Sequence, residues 1–88
     1  MDLTIGAVVP CHNYGRFLGE CLESLLRQTR PLQQIVVVLD GCTDDSAEVA
    51  ARYRWRGVET ITANVRSIYL ARRLGLQELD TDVVFCLD

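Results

Sequence analysis

Eighty-eight residues allow one domain with one core, and a chain of that size buries only about 60 to 65% of the surface its unfolded form exposes. With 49% apolar and 24% charged residues, the composition is that of a folded globular domain and excludes a disordered one. A formal charge of −3 gives no electrostatic case for a nucleic-acid binder, so no nucleic acid is expected among the partners.

In chain order, Leu3 to Val9 read as a first strand, LTIGAVV, ended by Pro10, which cannot donate to a ladder. The turn CHNYG follows. Asn13 suits the cap of a helix over roughly Gly15 to Gln28, because Phe17, Leu18, Cys21, Leu22, Leu25 and Leu26 form one apolar stripe. Within it Glu23 and Arg27 are spaced to pair across one turn. Pro31 keeps the helix from continuing.

Ile35 to Leu39 are mostly β-branched and do not alternate, the pattern of a strand covered on both faces. The run stops at Asp40, a carboxylate at the strand's carboxyl end, and Gly41 allows a tight turn. A second helix is expected from Thr43, its cap, to about Arg54. Asp44 and Asp45 fall in its first turn, and Ala47, Val49, Ala50 and Tyr53 face inward. Gly57 ends it. Val58 to Thr62 form a third strand, Ser67 to Leu79 a third helix burying Ile68, Ala71, Leu74, Gly75 and Leu79, and Val83 to Leu87 a fourth strand.

Strands alternating with helices imply an α/β fold with a parallel sheet, βαβαβαβ. Right-handed crossovers with the Rossmann-like order 3-2-1-4 put the first two helices on one face and the third on the other. Pro10 to Asn13 and Asp88 then flank the switch point between strands one and four, with Asp40 one strand away. Ligands bind at that rim in open α/β sheets. Asp40 is therefore either a ligand-binding carboxylate or an Asx-turn residue ending a strand. An NAD-binding reading is disfavoured, because PCHNYG lacks the GxGxxG glycines that let a pyrophosphate approach the backbone.

The four cysteines show no CxxC pair and no zinc spacing with histidine. Cys21 and Cys86 lie in apolar patterns and read as buried; Cys11 and Cys42 follow strand ends and are expected to be neighbours. Reduced thiols in a cytoplasmic chain are the simplest reading. Apolar runs reach about five residues, far short of the roughly 20 that a membrane span needs. The opening MDLTIG lacks the basic n-region of a secretory signal.

Taken together, VVPCHNYGRFLGECLESLLRQT, IVVVLDGCTDDSAEVAARY, ARRLGL and VVFCLD resemble the amino-terminal half of a family 2 glycosyltransferase of the GT-A type, across nearly all 88 residues. The resemblance implies a partial GT-A fold, with residues 1–88 forming a single half-domain that binds the donor, a nucleotide-diphosphate sugar, UDP being the expected nucleotide. It implies that Pro10 and His12, in the turn after strand one, touch the base, that Asp40 hydrogen-bonds it, and that Arg72 lies near the diphosphate. It also implies that Asp88 is the first aspartate of an Asp-any-Asp motif holding Mg²⁺ or Mn²⁺. Those residue types suit the task. A carboxylate accepts the imide N–H of uracil, a flat imidazole stacks on a base, and hard oxygen ligands suit the divalent ions. His12 also reads as an ordinary exposed turn residue, and Arg72 as a solvated charge.

The sequence departs from the family pattern in having LDGC for DDGS, ARR for ARN and Ser67 where a glycine is usual. It stops before the second aspartate of the metal motif and before the segment carrying the acceptor site and catalytic base. The 88 residues alone are thus expected to bind weakly and to catalyse nothing measurable. The other reading is a non-catalytic α/β module, a homo-oligomer formed through the edge strand 83–87, where VVFCL leaves an open margin.

Overall fold

The computed structural model describes residues 3–28 and 31–87. Four strands, β1 (Ile5–Cys11), β2 (Gln34–Asp40), β3 (Val58–Ala63) and β4 (Val83–Cys86), form one parallel sheet in the order β3-β2-β1-β4. Between them lie α1 (Gly15–Leu26), α2 (Ser46–Ala51), a 3-10 turn at Arg54–Arg56 and α3 (Ile68–Glu78). As the alternating pattern predicts, α1 and α2 cover one face, where Leu18, Leu22, Leu25, Val49 and Ala50 pack on Ala7, Val9, Val37 and Leu39. On the other face Ala71 of α3 joins Val8, Val36 and Val38 in a second core. Seen from both faces, β2 has no exposed residue, which is why its sequence does not alternate.

Pro10 does not end β1; it sits within the strand, opposite Val38 of β2. In a parallel ladder a residue's N–H and C=O point to the same neighbour, and those neighbours alternate along the strand. Val8 faces β4, accepting the N–H of Leu87 at 3.0 Å, so Pro10 faces that side too. There the register has already ended at Val8–Cys86, and no ladder bond is lost.

Helix α2 is half the expected length, because Thr43 to Asp45 are held in a turn. Asn13 Oδ1 accepts the N–H groups of Thr43 at 2.8 Å and Asp44 at 3.2 Å, so Thr43 does not cap and Asn13 is not the cap of α1. Asp44 instead accepts the N–H of Gly15 at 3.0 Å, placing its charge at the start of α1. Glu23 pairs not with Arg27 but with Arg56, at 3.0 Å, and also accepts the Tyr53 hydroxyl at 3.0 Å, tying α1 to the end of the α2 segment. Phe17, Ala47, Ile68 and Cys86, read as inward-facing, are exposed.

Close approach of α3 to the sheet depends on Gly75: a Cβ there would lie 2.5 Å from Val8 Cγ1 and 3.1 Å from Val38 Cγ2. At its amino end Ser67 is the cap, its hydroxyl accepting the Leu70 N–H at 3.2 Å. That packing aims the amino end of α3 at the carboxyl ends of β1 and β2.

Candidate functional site

At that rim the turns after β1, β2 and β3 converge on a cleft of about 490 Å³. Its walls include Pro10, His12 and Tyr14 from the first turn, Asp40 and Gly41 from the second, and Arg66, Ser67 and Ala71 from the third connection and α3. Three of the residues singled out in the sequence, Pro10, His12 and Asp40, therefore share one cavity. Arg72 does not line it; the half-buried Arg72 follows Ala71 along α3. Asp88 lies outside the described residues. A groove of similar size between α1 and the 3-10 turn, about 530 Å³, is lined by Glu23, Arg52 and Trp55, away from the strand ends.

Asp40 is 5% exposed, and its carboxylate is cradled by the backbone of the β3–α3 connection. Oδ1 accepts the N–H of Val65 at 2.8 Å and of Arg66 at 3.0 Å, while Oδ2 accepts that of Ser67 at 3.2 Å. Arg66 adopts φ 51, so successive N–H groups converge on one anion as in a backbone nest. Burial pushes the Asp40 carboxyl up, but the N–H donors of Arg66, Val65 and Ser67 and the nearby His12 outweigh it and hold it below the usual carboxylate range. A carboxylate offers about four acceptor positions, so one on Oδ2 is left over.

From the other side, His12 Nδ1 lies 2.7 Å from the Asp40 carbonyl oxygen. A carbonyl only accepts, so Nδ1 carries a proton and donates it, which fixes the ring against the end of β2. At Gly41 a φ of 62 turns the chain sharply; a Cβ there would be in ordinary contact with His12 Nδ1 at 3.7 Å and tight against Asn64 Oδ1 at 3.2 Å. The thiol of Cys42 donates to the Cys11 carbonyl at 3.3 Å, so the expected proximity of these two cysteines is present.

Sequence reasoning missed Arg66, which brings the cleft a cation, and gave Asn13 another role: it joins the first two turns instead of capping α1. Arg66 carries no motif. The one available signal is that a buried strand-end carboxylate must find donors, and the next strand–helix connection is where a parallel sheet supplies them.

A parallel sheet with helices on both faces and its cleft at the carboxyl rim defines an open α/β domain of the ligand-binding kind. More narrowly, the chain belongs to glycosyl transferase family 2, whose profile matches residues 7–88. It is 39% identical over 67 residues to the glycosyltransferase EpsJ of Bacillus subtilis, covering 76% of this chain and 18% of that one. To the glycosyltransferase GlyA of Streptococcus pneumoniae it is 32% identical over 93 residues, covering 100% of this chain and 13% of that one. The chain thus spans less than a fifth of these curated relatives. Among solved structures it superposes on the mannosyltransferase PcManGT of Pyrobaculum calidifontis, in complex with GDP-Man and Mn²⁺, with TM-score 0.86 at 20% identity, covering 96% of this chain and 26% of that one. The corresponding values for S. aureus TarS 1-349 are 0.84 and 25%, with 98% and 27% covered. Both likenesses bear out the GT-A fold.

Proposed function

We propose that the cleft binds the nucleotide of a nucleotide-diphosphate sugar, as the donor half of an enzyme that transfers the sugar to an acceptor hydroxyl. The observation carrying this reading is the anchored Asp40 at the rim of a family 2 fold, with one acceptor position left beside a flat imidazole. UDP is the expected nucleotide, its imide N–H meeting Asp40 Oδ2 and its ring stacking on His12. Arg66, and Arg72 behind it, supply positive charge for the diphosphate. In the transfer the acceptor oxygen bonds to the anomeric carbon, the bond from that carbon to the diphosphate breaks, and the hydroxyl proton goes to a base outside the described residues.

Mg²⁺ or Mn²⁺ belongs to this proposal for the whole enzyme, where it would stabilise the leaving diphosphate. Among the described residues no three His, Cys, Asp or Glu side chains come together to hold an ion. The domain is proposed to work in the cytoplasm; among the described residues no helix is long and apolar enough to cross a membrane.

Calorimetric titration of UDP and of GDP, each with Mn²⁺, tests the reading. Heat from UDP binding, reduced in Asp40→Asn at retained fold, is expected; dilution heats alone for both nucleotides would end it. GDP binding in place of UDP would keep the donor site and change the base.

A second reading, self-association through the edge strand, is favoured by one observation. β4 pairs with β1 on one side, and its side chains Val83 and Phe85 are 37% and 46% exposed. None of the described residues of β4 lines the cleft, so the two readings are compatible.

A further inference from the structure

Cys11 and Cys42 are 31 residues apart in sequence, yet the fold sets one over the other. Cys11 is the last residue of β1, in register with Leu39 of β2, and neighbouring strands lie about 4.8 Å apart. From Leu39 the chain passes Asp40 and then turns back at Gly41, at φ 62, so Cys42 returns over Cys11 instead of running on along the strand. Two further contacts fix it there: its thiol donates to the Cys11 carbonyl at 3.3 Å, and its sulfur accepts the N–H of Asn13 at 3.5 Å. Asn13 Oδ1 clamps the following Thr43 and Asp44 N–H groups, so neither turn is free to swing away.

We propose that Cys11 and Cys42 form a reversible dithiol–disulfide site beside the cleft, oxidised by a low-molecular-weight disulfide such as glutathione disulfide. Cys42 is half-buried and Cys11 is 1% exposed, which fixes the order of events. The Cys42 thiolate attacks one sulfur of the small disulfide, forming a mixed disulfide and expelling one small thiolate. The Cys11 thiolate then attacks the Cys42 sulfur and expels the second. Two protein thiols are oxidised, one small disulfide is reduced to two thiols, and the two protein protons end on those thiols. Burial, above all, and the facing Cys42 thiol raise the Cys11 thiol from its ordinary range, against the lowering effect of Ser46 and the Tyr14 backbone, so the second step speeds up as pH rises.

The link bears on the cleft because both turns that it joins are cleft walls. A disulfide holds its sulfurs about 2.05 Å apart, closer than any thiol contact. Forming it draws the turn carrying His12 and Asn13 against the turn carrying Gly41 and Thr43, and the 2.7 Å contact from His12 to the Asp40 carbonyl has to shift.

The test equilibrates the protein in glutathione buffers of graded ratio, blocks free thiols with N-ethylmaleimide, and maps the peptides by mass spectrometry. Expected is a Cys11–Cys42 linked peptide with the loss of two hydrogens, reversed by dithiothreitol, absent in Cys42→Ser and unchanged in Cys21→Ser and Cys86→Ser. Serine keeps a donor for the Cys11 carbonyl, so that variant folds. A link through Cys21 or Cys86, or only mixed disulfides at the most oxidising ratio, would overturn the site. Where UDP binds the reduced protein, oxidation weakens it by about tenfold in the wild type and not in Cys42→Ser; equal affinity would overturn the coupling to the cleft. The mapping needs no ligand, so it stands or falls independently of the nucleotide reading.

Discussion

His12 reaches from the turn after β1 to the backbone of β2, its Nδ1 2.7 Å from the carbonyl oxygen of Asp40. The contact fixes the ring plane at the cleft wall before any ligand arrives. Stacking of a base on an aromatic face is worth about 1 to 3 kcal/mol, so His12→Ala is expected to weaken UDP binding by about tenfold. His12→Phe keeps a flat ring and loses the anchoring bond, and the expected loss is about threefold. Calorimetry on the two variants checks the order; Phe no better than Ala would remove stacking from the account.

Asp40 holds three backbone N–H groups, and removing the carboxylate leaves donors unsatisfied in a nearly closed space. Asp40→Ala is expected to cost roughly 3 kcal/mol of stability, and Asp40→Asn, which keeps one acceptor oxygen, about half that. The pH dependence follows from the direction of the shift. Burial alone raises the carboxyl, yet the donors win and its folded pKa is depressed. Its contribution is therefore present above the unfolded carboxylate range and lost as pH falls through the lower folded value. Urea denaturation from neutral to acid pH should show wild-type stability falling with a steeper slope than Asp40→Asn; parallel slopes would count against the anchoring role.

The sheet order was legible because β2 is apolar on both faces and each helical stripe has its own period, so local pattern and topology agree. What escaped were contacts between distant residues. The sequence around Thr43 has the form of a helix start, but Asn13, 30 residues earlier, takes the N–H groups that such a start would leave open. Asp44 likewise divides its carboxylate, Oδ1 accepting the Ser46 N–H at the start of its own helix and Oδ2 the N–H of Gly15, 29 residues away at the start of α1. For the site, the strand-end position of Asp40 could be read directly, whereas its partners are backbone groups, which have no sequence signature.

Two glycines inside helices should respond in opposite directions to alanine. At Gly19 in α1 a Cβ would meet Tyr53 Oη at 3.6 Å and Val49 Cγ1 at 3.7 Å, ordinary contact distances. Gly19→Ala thus gains the helix propensity difference, about 1 kcal/mol. At Gly75 the same gain is opposed by a 2.5 Å approach to Val8 Cγ1. Val8 is 0% exposed and β-branched, so its χ1 is restricted, and such overpacking costs about 1 to 3 kcal/mol. Denaturant midpoints are expected to rise for Gly19→Ala and fall for Gly75→Ala; a rise for both would mean that α3 can lift from the sheet.

The open edge of β4 gives the final prediction. Val83 N–H bonds to the Thr4 carbonyl at 3.0 Å and Leu87 N–H to that of Val8 at 3.0 Å, so alternate residues from 83 to 87 face β1. By that alternation the N–H groups of Val84 and Cys86 face outward and are the donors for a second strand. Cys86→Pro removes one of them at an exposed position and leaves the ladder to β1 intact. Sedimentation velocity at micromolar concentration should show an assembly for the wild type and a monomer for Cys86→Pro. An assembly that survives the proline uses another surface, with Ile68 and Tyr69 at the start of α3, 52% and 68% exposed, the next to examine. A monomeric wild type would mean that this edge does not join copies of the chain.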